Sequence, residues 1–146
     1  MRRTVRGLFA LAAVAIVPAC SDSSGPNASA AAGSYTLISV NGVLMPVVFS
    51  VSPLFTLRIT AGSATLSPNN TFTASVTYEQ TLAGGGPTLT DTETCTGTYA
   101  VSGSTITFTE ANSTSANCGG VYTGVWDGAD TFTIELEPGV EALFEK

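Results

Sequence analysis

Thr71-Phe72-Thr73-Ala74-Ser75-Val76-Thr77-Tyr78 alternates, residue by residue, between a hydroxyl-bearing side chain and an apolar or aromatic one. Successive side chains of a pleated strand point to opposite faces, so this octet has one greasy face and one that water can wet. The same period returns downstream. Tyr99 and Val101 alternate with Thr98 and Ala100, and Ile106 and Phe108 sit among Thr105, Thr107 and Thr109. Tyr122, Gly124 and Trp126 alternate with Val121, Thr123 and Val125, and Phe132, Ile134 and Leu136 with Thr131, Thr133 and Glu135. These are half-buried antiparallel strands. Asn41-Gly42, Asn69-Asn70, Ser102-Gly103, Asp127-Gly128 and Pro138-Gly139 supply turns between such runs. From Gly33 onward no stretch of helical length is amphipathic. The pattern predicts an all-β domain over 33–146, an antiparallel up-and-down meander of eight to ten strands. Closure into a small barrel is favoured over a sandwich, because it removes exposed strand edges.

Charged residues make up only 11% of the chain, and there is no His. That suits Thr-rich strands and tight turns better than surface helices. Three of the five basic residues are Arg2, Arg3 and Arg6. Without them Arg58 and Lys146 stand alone against eleven carboxylates, and the net charge falls from −6 to −9. Such a surface repels phosphate backbones and argues against a nucleic-acid partner.

The chain begins with a basic stretch, Met1–Gly7, followed by an apolar run, Leu8–Val17, too short to span a bilayer as a helix. This is the order of a secretory signal peptide over residues 1–19. Val17-Pro18-Ala19-Cys20 resembles a bacterial lipobox. The resemblance implies cleavage before Cys20, a diacylglycerol thioether on its sulfur, and acylation (palmitate or similar) of the new amino terminus. An ordinary signal peptide with a free or paired Cys20 is the alternative. Ser21 rather than Asp follows the Cys. By the enterobacterial sorting pattern this implies residence in the outer membrane of a bacterial envelope. Ser21–Ala32 has no large apolar residue and, with Cys20, reads as a flexible linker.

Gly33–Gly42 (GSYTLISVNG) is similar to the first strand and turn of small bacterial lipocalin-like lipoproteins. Gly97–Phe108 (GTYAVSGSTITF) resembles their central hairpin, and Leu143–Lys146 their closing strand. The resemblance implies an up-and-down barrel able to hold a small hydrophobic ligand. Tyr35 stands where lipocalins carry the Trp of Gly-x-Trp, and the sequence marks no basic residue to pack over it.

Cys95 and Cys118 remain as a pair and are expected to form a disulfide in an oxidising compartment. A zinc site would lack ligands, and a redox pair has closer spacing. The disulfide would hold the polar loop Glu110–Asn117 against the barrel's edge. Without His, Ser-His-Asp and Cys-His nucleophile arrangements are impossible. The carboxylate pairs Asp91/Glu93, Asp127/Asp130 and Glu135/Glu137 are expected on the outer, solvated face. Asp127-Gly128-Ala129-Asp130 lacks the ligand series of a calcium loop and reads as a hairpin turn. Leu82–Pro87 is glycine-rich without a strand-to-helix context, so it reads as a loop at the barrel mouth. No enzyme activity, metal or cofactor is expected.

Tyr35, Phe72, Tyr78, Tyr99, Phe108, Tyr122, Trp126 and Phe132, with Phe144, are placed on the inward faces. They either fill the barrel or line a cavity for a small apolar ligand. Gly97 and Gly124 either leave space in that cavity or mark sharp strand bends. Two functions follow: a membrane-anchored carrier of a small hydrophobic molecule, or a core-filled lipoprotein that contacts an envelope protein.

Overall fold

In a computed structural model the alternating octet lies within a strand, β5, that runs Thr71–Leu82. The structure describes residues 28–111 and 118–146. The expected signal peptide, Cys20 and most of the linker therefore lie outside the described residues, as does most of the Glu110–Asn117 loop. A single helical turn, α1 (Ala28–Ala31), precedes β1 (Gly33–Val40), β2 (Val43–Leu44), β3 (Val47–Val51) and β4 (Phe55–Leu66). After β5 come β6 (Thr88–Ser102), β7 (Thr105–Glu110), β8 (Val121–Trp126), β9 (Thr131–Glu137) and β10 (Val140–Glu145).

From β4 to β10 each strand pairs antiparallel with the next. β10 then pairs with β1 (Leu37 opposite Phe144), and β1 pairs with β4 (Gly33 opposite Leu66 through Thr36 opposite Ser63). Eight strands thus close an up-and-down barrel, as the turn spacing predicts. β2 and β3 are additions: β2 extends β1 at Ser39–Val40, and β3 borders the first half of β4. Asn41 (φ 50°) and Gly42 (φ 74°) both adopt the left-handed backbone that a tight turn between β1 and β2 demands.

Two extra residues bend the wall. The register between β4 and β5 slips past Thr60, so inward Leu57 and Ile59 give way to inward Gly62, Ala64 and Leu66. β1 slips likewise past Ile38.

One end of the barrel is packed solid. Tyr35, Leu66, Ile106, Trp126 and Phe132 are fully buried there. Tyr35 meets Phe132 edge-on at 4.8 Å, Phe132 stacks on Phe144 at 4.9 Å, and Phe72 meets Phe108 edge-on at 5.2 Å. Helix α1 plugs this floor. The hydroxyl of Tyr35 donates to the carbonyl of Ala31 at 2.7 Å. The hydroxyl of Tyr99 lies 2.7 Å from the carbonyl oxygen of Ala28 and 2.9 Å from that of Ser67. Ala28–Ala31, which the sequence reading assigns to the linker, therefore belongs to the fold. Its methyl groups are small enough to sit under the floor, and its carbonyls satisfy two buried phenols.

A basic residue does pack over Tyr35. Lys146 lies just beyond β10, beside the start of β1, with its Nζ 5.2 Å from the Tyr35 ring centroid and 3.1 Å from the carbonyl oxygen of Ala129. The two ends of the domain meet only when the barrel closes, so the sequence alone does not reveal this partner.

Gly97 and Gly124 mark close approach rather than space. A Cβ on Gly124 would fall onto the carbonyl of Thr133, and one on Gly97 onto that of Thr109. At Gly97 it would also lie 2.8 Å from the Phe72 ring.

Candidate ligand cavity

Above the aromatic floor the barrel is hollow, enclosing a cavity of about 980 Å³. It opens at the end where Leu82–Thr88 and Glu137–Val140 connect the strands, where β7 ends and β8 begins. Of the aromatic set singled out in the sequence, Phe72, Tyr78, Phe108, Tyr122 and Phe132 line it, together with Phe144. Tyr35, Tyr99 and Trp126 do not; they form the packed floor beneath. Both roles read from the sequence, filling and lining, are thus realised at different heights. Aliphatic walls come from Leu37, Leu57, Ile59, Val76 and Ile134, with Phe49 at one side. Leu57 and Ile59 escape period-two reading because the Thr60 bulge breaks the alternation of β4.

The polar lining is acidic. Tyr78 faces Asp91 and Val76 faces Glu93 across the β5–β6 ladder, so both carboxylates share the inward face with Cys95, Gly97 and Tyr99. They line the cavity instead of lying on the outer face. The alternation of β6 simply continues upstream, leaving Thr88, Thr90, Thr92, Thr94 and Thr96 outside. Glu135 and Glu137 also part company. A register shift at Val140/Glu141 pairs Glu135 with Glu141, while Glu137 opposes Val140 and joins the cavity lining. Asp127 behaves as a turn residue: its carboxylate accepts the backbone N–H of Ala129 at 2.8 Å and of Thr131 at 3.1 Å.

Cys95 and Cys118 are joined, with Cα atoms 5.6 Å apart. Cys95 lies within β6 and carries the segment before β8 against the cavity wall. Glu110 supports the same segment by accepting the N–H of Gly119 at 2.6 Å and of Gly120 at 3.2 Å. Glu93 lies close to both sulfurs, a grouping of metal-ligand types. The sulfurs are bonded to each other, so neither offers a thiolate.

The phenols record the local field. Burial pushes the Tyr78 hydroxyl above its ordinary pKa, and the charges of Glu93 and Glu137 push it further. Tyr122 is raised by burial and then by Glu110, with Glu137 and Glu93 adding to the effect. In the floor, burial raises Tyr35, opposed by the neighbouring Trp126 indole N–H. Among the described residues that N–H, fully buried, reaches no acceptor in full hydrogen-bond geometry.

Comparison with known protein families, curated proteins and solved structures returns no match to this chain.

Proposed function

We propose that this chain is a lipid-anchored, extracytoplasmic binding protein whose barrel holds a small hydrophobic molecule. The cavity carries the reading. Its volume of about 980 Å³ lies at the upper end of the range of small-molecule sites, and its walls are largely aliphatic and aromatic. A barrel serving only as an interaction scaffold has no use for such a void, which gives up packing contacts along its whole lining. The Val17–Cys20 lipobox resemblance supplies the anchor and the bacterial envelope as its location, with the outer membrane the expected destination. We read the role as binding rather than catalysis: the chain has no His, which removes the Ser-His and Cys-His nucleophile arrangements.

Titrating the delipidated, disulfide-bonded protein with a fluorescent apolar probe such as N-phenyl-1-naphthylamine tests the cavity. Saturable one-to-one binding is expected; its absence would favour the alternative, a lipoprotein that contacts an envelope protein. Mass spectrometry of the protein from membranes should find acyl chains at Cys20 as the first residue.

A further inference from the structure

Resting on the ligand reading above, we propose that the cavity selects a cationic amphiphile, with an apolar or aromatic body and one protonated amine. Asp91, Glu93, Glu110 and Glu137 enter the cavity lining from three strands. Among the described residues no Lys or Arg lines it. Arg58 is exposed on the outside of β4, and Lys146 is engaged under the floor by the Ala129 carbonyl and the Tyr35 ring.

Solvation alone does not explain this distribution. Solubility is served by charges on the outer face, yet β6 carries Thr outside and its two carboxylates inside. The fields of these acids also overlap within the lumen. Glu93 and Glu137 act on both Tyr78 and Tyr122, which belong to different walls.

A carboxylate or sulfonate ligand would meet repulsion here and lose its hydration without gaining a cation. A neutral ligand would use only the apolar walls. A protonated amine gains charge pairing near Glu93 and Glu137, and the ring faces of Tyr78 and Tyr122 accept its positive edge. Its apolar body then fills the space above Phe72 and Phe108.

Three fluorescent probes with one naphthyl body test the proposal, bearing a trimethylammonium, a hydroxyl or a sulfonate group. The intact, disulfide-bonded protein should bind the ammonium probe at least about tenfold more tightly than the neutral one, and the sulfonate least. Raising salt to about 0.5 M should shrink that preference. Glu137→Gln, at an exposed position, and Glu93→Gln should each reduce it, and the pair should nearly abolish it. Glu145→Gln, on the outer face, should leave it unchanged. Equal binding of neutral and ammonium probes would overturn the charge selection while leaving the ligand cavity standing. So would a preference that survives both salt and the paired substitution. Binding of no probe would remove the cavity reading along with this one.

Discussion

Tyr99 shows how single side chains decide the floor of this barrel. Its ring packs near Phe108 while its single hydroxyl proton is shared between carbonyls of α1 and of the β4–β5 turn. Tyr99→Phe keeps the packing and strands those acceptors, so a loss of about 1–2 kcal/mol is expected in urea unfolding. Faster amide exchange around Ala28–Ala31 should accompany it. Gly124→Ala tests crowding instead of hydrogen bonding. Its methyl group would collide with the backbone of β9, which cannot move aside as a flexible side chain can. A loss of about 3 kcal/mol or more is expected, with Gly97→Ala similarly costly. At this scale the sequence is partly legible. The inward aromatics follow from period two, because each strand has one buried face. Whether Gly124 gives space or permits close approach depends on β9, which no local pattern encodes. Asp91 and Glu93 are misplaced by the habit of assigning charge to the solvent side; their own alternation with Thr points inward.

Among the elements, the β8–β9 turn carries a pH signature. Backbone N–H groups of Ala129 and Thr131 hold the Asp127 carboxyl below its ordinary pKa. A group depressed in the folded state stabilises the fold fully above its unfolded value of about 4, and this contribution fades as pH falls through the lower folded value. Asp127→Ala should therefore lower the melting temperature at neutral pH, with the deficit closing in strong acid. Thermal melts from pH 7 to pH 2 would read this out. The Cys95–Cys118 link acts over a sequence separation of 23 residues. Reduction should cost roughly 3 kcal/mol on the chain-entropy account, with the barrel still folded and the urea midpoint lowered. Hairpins joined by Asn-Gly or Ser-Gly turns announce themselves in the sequence. β4 does not, since the extra residue at Thr60 turns one twelve-residue strand into two short, out-of-phase fragments. Glu137 is hidden by the same device at the β9–β10 shift.

For the whole molecule, one substitution separates stability from binding. Val76→Trp extends a large side chain into the void instead of into the packed floor. The melting temperature should hold or rise, while affinity for an apolar probe falls at least about tenfold, measured by fluorescence titration and differential scanning calorimetry. A loss of binding accompanied by a collapse in stability would mean that the void is not free space. Barrel closure was foreseeable from the count of strands and turns, because an open meander would leave two bare edges. The meeting of Lys146 with Tyr35 was not, since it joins residues more than a hundred positions apart. The seat of α1 also has a consequence for how the molecule stands. Because the chain arrives beneath the sealed base, an acylated Cys20 would fasten the barrel like a cup by its foot. Eight residues, Cys20–Asn27, reach at most about 28 Å when fully extended. On the proposed anchor and ligand, the aperture would face away from the leaflet holding the lipid, and cargo would come and go through water or a docking protein.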